Sequence, residues 1–571
     1  MKNQEIAKIF FNISSLLETK EKDFRPIAYR RAALSLESFE EDVDEIYLDK
    51  GIKGLEEIPG IGKSLALKIE EYLKTGKIET YEKLKKKLPI DLGEITRIEG
   101  MGPRKAKTLY YKLGIKSVKD LEKAAKAGKI APIFGFGEKT EKNILQGIEF
   151  LKIDKGRSLL GFIMPTVDEI VSTISSLKEV KKISIAGSTR RRKETIGDVD
   201  ILVSSDKPEK VMQFFVSLPG IEKVWATGGT KASVRLKAGF DVDLRVVKDE
   251  SFGAALQYFT GSKEHNVATR KIAMYKGLKL NEYGVFKGDK RIAGKTEEEV
   301  YKALGLAYIE PELREDEGEI QLARENKLPK LIEYKDIKGD LHCHSNWDGG
   351  EDSIEQMAKY AIGLGYEYIG ISDHTKFLRI ENGLNEKQLL KQNEAIKKIN
   401  KKLGNKFRIL HGCETNILND GSVDIKDEVL AKLDYVIAGV HSSMKMKEHE
   451  MTERVIKAMR NKNIDIISHP TGRLIQRRDE YSINIEKMLE TAKETGTILE
   501  INSWPERLDL KDIYVRMAKQ KGVKMIINTD AHEKSQMKLM EFGISQARRG
   551  WAEKGDIVNT NSADKLLKYF K

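Results

Sequence analysis

The pattern of hydrophobic and polar positions between residues 183 and 203 predicts a strand, a turn, a short helix and a second strand. Ile183 and Ile185 alternate with polar residues and lead into a Gly-Ser turn. A basic segment follows, and a second apolar run extends beyond Asp198 and Asp200. Because side chains at positions i and i+2 of a strand share a face, we expect these two carboxylates to point the same way.

This unit is typical of a nucleotide-binding metal site. Two adjacent carboxylates repel each other unless a cation lies between them, and oxygen ligands favour Mg²⁺. The turn at Gly187 and Ser188 offers backbone N–H groups to a polyphosphate, and Arg191 adds charge. A third carboxylate, Asp243, lies on another predicted strand. An isolated D-x-D motif is usually a solvated surface pair, but the preceding turn and arginine favour the metal site.

The amino-terminal third contains a repeated pattern of helix, glycine hairpin and helix. The first copy spans residues 55–77, the second 95–112, and a looser third copy 134–148. These segments resemble helix-hairpin-helix motifs, whose glycines let backbone N–H groups approach a DNA phosphate without reading its sequence. A single copy could be an ordinary helical hairpin, whereas three copies favour DNA binding. The predicted contact glycines are Gly60, Gly62, Gly100 and Gly102.

With the segment 258–284, these motifs resemble the palm and thumb of family X DNA polymerases, the DNA polymerase beta group. The resemblance implies that Asp198 and Asp200 ligate both metals, Mg²⁺ or Mn²⁺. It implies that Asp243 holds the metal that activates the primer 3′-hydroxyl. The implied nucleotide-binding residues are Gly187, Ser188, Arg191, Tyr258, Phe259, Gly261, Asn266 and Arg270.

The first region is also similar to the 5′-phosphate and lyase domain of the beta group. Tyr29 and Arg30 match its DNA-binding residues, and Lys68 falls at its Schiff-base position. A lysine attacks an abasic-sugar aldehyde when burial or neighbouring cations lower its pKa. The alternative is a solvated helix lysine that contacts phosphate, so lyase activity is one of two interpretations of Lys68.

The carboxy-terminal third predicts a second, independent metal site. Short apolar strands end in the motifs DLHCH, ISDHT, HGCET, AGVHS, IISHP and NTDAH, and seven of the nine histidines lie in them. Functional residues at the carboxyl ends of strands are typical of a β/α barrel. Mixed imidazole and carboxylate ligands favour Zn²⁺, Mn²⁺ or Fe²⁺, and a cluster of such ions activates water for phosphodiester hydrolysis.

These motifs resemble the PHP (polymerase and histidinol phosphatase) domain, a distorted seven-stranded barrel that holds up to three metals. Some PHP enzymes have histidine where this chain has Asp348, so we expect an altered metal preference. The resemblance implies a 3′→5′ exonuclease, a 3′-end processing enzyme or an abasic-site endonuclease. The implied ligands are His342, His344, Glu414 and Asp530 for one metal, Asp348, His374 and His532 for a second, and His441 and His469 with bridging Glu414 for a third.

The fold class is therefore multidomain α/β, with helical domains, a nucleotidyltransferase palm with thumb, and a barrel. The net charge of +12 suggests a polyanionic partner. The two cysteines lie inside metal motifs, which indicates a reducing cytoplasm, and no apolar run is long enough for a membrane. The predicted domains are 1–85 (lyase-like), 86–150 (fingers-like), 151–250 (palm), 251–317 (thumb), 318–334 (linker) and 335–571 (PHP).

The preferred function is a monomeric DNA polymerase that fills short gaps with dNTPs and carries a nuclease, acting on gapped or nicked DNA in base excision repair. Two alternatives stay open. In one, the nuclease is the principal enzyme and the polymerase half is a DNA clamp. In the other, the chain is chiefly a scaffold that binds DNA ends. Measured incorporation of dNTPs would argue against the first alternative. The ratio of affinity for DNA ends to catalytic turnover on a gapped substrate tests the second.

Overall fold

A computed structural model gives the structure of the chain. It describes residues 2–17, 28–29, 32–33, 36, 43–58, 60–90, 92–95, 98, 101–138, 140–142, 144–145, 148, 157–476 and 478–570. The chain forms two compact units, residues 1–156 with 223–227, and residues 157–222 with 228–571. Among the described helices, none is long and apolar enough to cross a membrane.

Apart from residues 223–227, which belong to the strand Ile221–Thr227, the described elements of the first unit are helices. Their apolar faces pack into two cores, one around Phe10 and Ile58 and the other around Leu109 and Leu121. Helices capped by left-handed glycines, such as Gly76 and Gly114, end cleanly because glycine adopts this conformation without strain. The helices are Lys2–Leu17, Val43–Glu56, Lys63–Thr75, Glu79–Lys87, Leu92–Ile95, Pro103–Leu113 and Val118–Lys126.

The second unit begins with a mixed sheet. Four of its strands lie in the order Lys182–Ile185, Asp198–Ser204, Asp241–Val247 and Lys231–Leu236, and the middle two are parallel. The predicted strand, turn, helix and strand are therefore confirmed. The strands of this region are Ser158–Leu159, Lys182–Ile185, Thr195–Ile196, Asp198–Ser204, Ile221–Thr227, Lys231–Leu236 and Asp241–Val247, and its helices are Leu160–Ser175, Gly187–Arg190 and Pro208–Val216.

A small α/β region follows, with an antiparallel sheet of three strands. Its core includes Ala254, Val300 and Leu304. The elements are helices Phe252–Thr260, Lys263–Tyr275, Glu297–Leu304 and Glu319–Arg324, with strands Lys279–Asn281, Gly284–Lys287 and Lys290–Ala293.

Residues 318–334, which we predicted to be a linker, are folded and packed. Ala323 and Leu331 are buried in the core of the preceding region, and Ile332 is buried in the core of the C-terminal domain. Arg548 of that domain donates to the carbonyl of Ile332 at 2.8 Å. The apolar residues Ala323, Leu331 and Ile332 therefore anchor the segment on both sides.

The C-terminal domain contains parallel strands in two sheets of three and five, which follow chain order. Several strands, such as Tyr368–Ile371 and Met525–Asn528, are buried and largely apolar, as expected where both faces of a sheet are covered. The strands are Gly339–Asp340, Tyr368–Ile371, Arg408–His411, Glu414–Asn416, Ile437–Gly439, Ile466–Ile467, Ile498–Asn502 and Met525–Asn528. The helices are Ile354–Gly363, Glu386–Leu403, Asp427–Leu430, Glu448–Met459, Ile485–Thr495, Asp512–Lys521, Met540–Arg549 and Ala563–Leu566.

Two bridges join the sheets into a distorted barrel. Cys343 pairs with Ala531, and His374 pairs with Glu414. The sheets divide at Gly412, where an added Cβ would collide with the ring of Tyr435. Glycine therefore permits the close packing of Tyr435 at the point where the chain passes from one sheet to the other, two residues before Glu414.

Candidate metal centres and DNA-binding motifs

The three predicted polymerase aspartates share one face of the mixed sheet. The parallel register pairs Asp200 with Asp243, and Asp198 lies two residues before Asp200 on the same strand. Gly187 approaches closely from the turn, where an added Cβ would collide with the Asp200 carboxylate, and its φ of +61° also favours glycine. The turn and the carboxylates therefore form one compact site.

The electrostatics of this site favour a cation. Burial, together with the charges of Asp198 and Asp243, raises the pKa of Asp200 to about 7. Lys231 lies 3.1 Å from Asp243 and compensates part of the negative charge. A divalent ion would remove the remaining repulsion, so the carboxylates fit a Mg²⁺ or Mn²⁺ site.

Arg191 lies beside the turn but is engaged within the protein. Its guanidinium donates to the carbonyl oxygen of Thr260 and to Glu315, the latter at 3.2 Å. The same guanidinium packs against Gly261, where an added Cβ would lie 3.0 Å from it. Ser188 is half-buried in the short helix that follows the turn. The structure thus brings three of the predicted nucleotide-binding residues together.

The other predicted nucleotide-binding residues form a hydrogen-bonded group in the following region. Tyr258 and Phe259 are half-buried at the end of one helix, with ring centroids 5.1 Å apart. The Asn266 amide donates to the carbonyl of Tyr258 at 2.6 Å and accepts from Gln257 at 2.8 Å. Arg270 Nε donates to the carbonyl of Asn266 at 3.1 Å. These contacts fix the Asn266 and Arg270 side chains against the helix end.

The second metal centre is arranged around Glu414. Its carboxylate lies 3.1 Å from His374 Nε2 and 3.0 Å from His469 Nε2, and 3.4 Å from both His342 Nε2 and His441 Nε2. Glu414 is 1% exposed. Burial alone would raise its pKa, but the neighbouring histidines hold the pKa of Glu414 well below its usual value. A buried anion among imidazoles is a suitable bridging ligand.

Asp530 marks the other side of the cluster. Its Oδ1 lies 3.5 Å from His342 Nε2 and 3.3 Å from His344 Nε2, and neither of these buried nitrogens has a hydrogen-bond partner among the described residues. Donor atoms that converge without hydrogen-bond geometry fit a metal site, because an ion about 2.0–2.2 Å from each ligand spaces them in this way. His374 and His532 complete a second group with His344.

Asp348 lies against two rings of the cluster. Its Oδ2 lies 2.9 Å from the Nδ1 atoms of both His344 and His374, and with His344 and Asp373 it forms a group that could hold a metal ion. That it shares a metal with His374 and His532 stays a prediction. Its Oδ1 accepts from the backbone N–H of Gly350. The loop that carries Asp348 places the carboxylate behind the two rings, so it directs their Nε2 atoms toward the cluster.

Two buried acids that the sequence analysis missed support the cluster. Glu500 lies 2.7 Å from His342 Nδ1, and Asp373 accepts from Ser345 and Gln392 and forms a potential ligand group with His344. Glu500 lies in the middle of the buried strand Ile498–Asn502, and Asp373 follows the buried strand Tyr368–Ile371; an acid in or just after an apolar strand was the available signal. Carboxylates in this position fix the tautomer of a ligating histidine.

The hairpin glycines face open space. Gly62 and Gly102 have ordinary negative φ angles and directly precede helices, and an added Cβ at either would meet nothing within 4 Å. Nothing in the described fold therefore requires glycine at these positions, whereas close approach of a phosphate would. Gly60 has a φ of +85° and is exposed. The predicted Gly100 lies outside the described residues.

Replacing Gly62 with alanine should therefore weaken DNA binding without destabilising the protein. The same result is expected for Gly102→Ala, since each methyl group would intrude only on an external ligand. We expect an affinity loss of about tenfold for gapped duplex, corresponding to roughly one backbone hydrogen bond to phosphate. Fluorescence anisotropy measures affinity and thermal unfolding serves as the control. Unchanged affinity, or a lowered melting temperature, would contradict this interpretation.

The lyase-like residues divide between the core and the surface. Tyr29 is 7% exposed and packs edge-on against Phe10, so its ring lies in the core and not at a DNA-binding surface, contrary to our expectation. Arg30 lies outside the described residues. Lys68 is half-buried on helix Lys63–Thr75, and its Nζ donates to Thr80 Oγ1 at 3.2 Å.

Family models match four stretches of the chain. They are the DNA polymerase beta thumb at residues 255–315, a helix-hairpin-helix domain at 1–78, a SAM-like helix-hairpin-helix tandem at 52–110 and 92–149, and the PHP domain at 340–504. The fold and the two sites thus define a beta-type DNA polymerase joined to a PHP domain.

Comparison with curated proteins places the chain in a family. It is 38% identical to the DNA polymerase/3′-5′ exonuclease PolX of Bacillus subtilis (strain 168), over the full length of both chains. The chain belongs to the PolX family of DNA polymerases. Its C-terminal part is also similar to probable phosphatases. One from Thermoanaerobacter sp. (strain X514) is 28% identical over 41% of this chain and 94% of its own. Another, from Clostridium acetobutylicum, is 30% identical over 34% of this chain and 78% of its own length.

Proposed function

We propose that this chain is a DNA polymerase that fills short gaps and a 3′→5′ exonuclease that trims the primer end. The observation that carries the proposal is the presence of both centres in one chain that matches PolX over its full length. The three sheet aspartates serve the first activity, and the cluster around Glu414 serves the second. The two activities together suit base excision repair in the cytoplasm, with the chain acting as a monomer.

In the polymerase site, the aspartates would hold Mg²⁺ or Mn²⁺, which would supply charge stabilisation at the reacting phosphate. Asp198 and Asp200 would ligate both metals, and Asp243 would hold the one on the side of the primer 3′-hydroxyl. Backbone N–H groups after Gly187, with Ser188, orient the triphosphate. Tyr258, Phe259 and Gly261 support the sugar, and Asn266 and Arg270 contact the nascent base pair.

In the exonuclease site, the cluster of histidines and acids holds up to three ions, which would supply an activated water. Zn²⁺, Mn²⁺ and Fe²⁺ suit this donor set. Glu414 bridges the groups, and Asp348 and Glu500 orient the imidazoles. His532, whose side chain is 33% exposed, lies at the open side, where a 3′-terminal phosphodiester would enter.

Gap filling is tested by comparing primer extension on three duplexes that share one labelled primer. One carries a one-nucleotide gap with a 5′-phosphate, the second the same gap without the phosphate, and the third an open template. We expect the highest kcat/KM on the phosphorylated gap, because the amino-terminal helices would hold its 5′ end. Equal rates on all three would contradict a gap-filling role, while leaving polymerase activity intact.

A lyase activity is proposed for Lys68, because its amine donates to the neutral hydroxyl of Thr80 and the residue is half-buried. Borohydride should trap the wild type on DNA with a 5′-deoxyribose phosphate, and Lys68→Ala should reduce trapping by about 100-fold or more through loss of the nucleophile. Lys74→Ala is the matched control, since this lysine lies on the same helix but pairs with Glu70. Equal trapping by both variants would assign Lys68 to phosphate contact.

A further inference from the structure

The segment of four residues that follows the nucleotide-binding turn contacts the C-terminal domain through its first residue, Arg191, and its last residue, Glu194. Arg549 donates to the backbone carbonyl of Arg191 at 2.9 Å. Arg473 forms a two-point ion pair with Glu194, at 2.8 and 3.3 Å. Arg191 is the residue that ends the short helix after the turn, so its carbonyl lacks a helical partner and accepts from the cation instead. We name residues 191–194 the turn loop.

All three nitrogens of the Arg549 guanidinium donate hydrogen bonds. Its side chain is 4% exposed, and it donates to Asp512 Oδ2 through Nε at 2.9 Å and through Nη2 at 2.7 Å. Asp512 belongs to the same C-terminal domain. The remaining nitrogen, Nη1, is thereby fixed in direction toward Arg191 and toward Glu315 Oε1, each at 2.9 Å. Such a buried, fully bonded arginine is a rigid support.

Glu315 connects this support to the side chain of Arg191. Its Oε1 receives Arg191 Nε at 3.2 Å, Lys193 Nζ at 3.2 Å and Arg549 Nη1 at 2.9 Å. One carboxylate oxygen thus contacts three cationic groups. Because Arg549 neutralises part of the Glu315 charge, it weakens the hold of Glu315 on Arg191. Without Arg549, the turn loop would lose its backbone anchor and Arg191 would be bound more tightly within the protein.

We propose that Arg549, in the PHP domain, is a positioning residue for the nucleotide site of the polymerase. It fixes the backbone of the turn loop. It also weakens the interaction with Glu315 that competes with the triphosphate for the Arg191 guanidinium. The PHP domain is then part of the polymerase site as well as the carrier of the second centre. This inference rests on the proposed role of Arg191 in nucleotide binding.

Steady-state incorporation of dNTP by the full-length chain tests the proposal. Arg549→Gln should raise the KM for dNTP about tenfold, the effect of one charge-assisted hydrogen bond, with kcat changed less than about twofold. Shortening of the primer in the absence of dNTP should stay at the wild-type rate. Arg549→Lys should restore part of the affinity, because it keeps the charge but loses the planar fork.

Arg516→Gln is the matched control. Arg516 also lies in the PHP domain and pairs with Glu317 at 3.0 Å, but its described contacts do not include the turn loop. It should retain the wild-type KM. Asp512→Asn gives a second route if Arg549→Gln does not fold, and a smaller rise in KM is expected because Arg549 loses its anchor.

A wild-type KM in Arg549→Gln, or an equal loss of both activities with a lower melting temperature, would overturn the inference while the polymerase assignment stands. An equal rise in KM for Arg516→Gln would also overturn it. Absence of dNTP incorporation by the wild type would instead overturn the proposed function, and this inference with it.

Discussion

Asp198→Asn is expected to abolish primer extension and to leave primer shortening intact. The substitution removes one of three carboxylates that share a face of the sheet, and it preserves the size of the side chain. Metal-derived stabilisation at a reacting phosphate amounts to several kcal/mol, so extension should fall by about 10³-fold or more. The rate of single-nucleotide incorporation on a gapped duplex measures this loss.

Asp241→Asn is the matched control for that prediction. Asp241 faces Asp198 in the parallel register, but its side chain accepts from Arg235 at 3.2 Å. Asp241 lies two positions before Asp243 and shares its face of the strand, but its carboxylate is paired with Arg235 at the edge of the carboxylate group. Its variant should incorporate dNTP within a few-fold of the wild-type rate. Similar losses in both variants would indicate a general disturbance of the sheet and would contradict the assignment of Asp198.

His342→Asn is expected to have the reverse effect. His342 is fully buried, and its Nε2 faces the carboxylates of Glu414 and Asp530. Loss of a residue that merely orients a metal ligand costs about 10- to 100-fold, so loss of a ligand should lower primer shortening by more than about 100-fold. The metal content of the purified protein should fall as well, while dNTP incorporation is unchanged.

His411→Asn is the matched control in the same domain. His411 is 1% exposed at the end of its strand, and its Nε2 lies 3.1 Å from Gln392. Burial lowers the pKa of His411 to about 4, which keeps it neutral. The variant should keep its metal and its shortening rate per folded molecule. Loss of metal in His411→Asn would show that any buried histidine supports the centre, contrary to this account.

Much of both sites could be predicted from the sequence because local spacing determines it. The two-residue spacing of Asp198 and Asp200 fixes their common face, and strand-end motifs bring distant histidines together once the strands are parallel. Glu414 was identified in this way, although its position among four histidines follows from the packing of the strands. Period-2 patterns and buried apolar runs were therefore sufficient for the main ligands.

Other features depend on tertiary packing that no local pattern encodes. The position of Asp348 behind two imidazoles is set by the loop that carries it, and Tyr29 is placed in the core by the helix packed against it. The packed segment at 318–334 and the contact of Arg549 with Arg191 join residues far apart in the chain. A charged residue in a sequence does not reveal which distant carbonyl it will cap.

The most direct test of two separate centres uses a one-nucleotide-gapped duplex with a 5′-phosphate and a labelled primer. Wild type, Asp198→Asn and His342→Asn are compared in Mn²⁺, with and without dNTP. The account predicts that the wild type extends and shortens the primer, that Asp198→Asn only shortens it and that His342→Asn only extends it. Loss of both activities by either single substitution, or a wild type that never shortens the primer, would contradict the account.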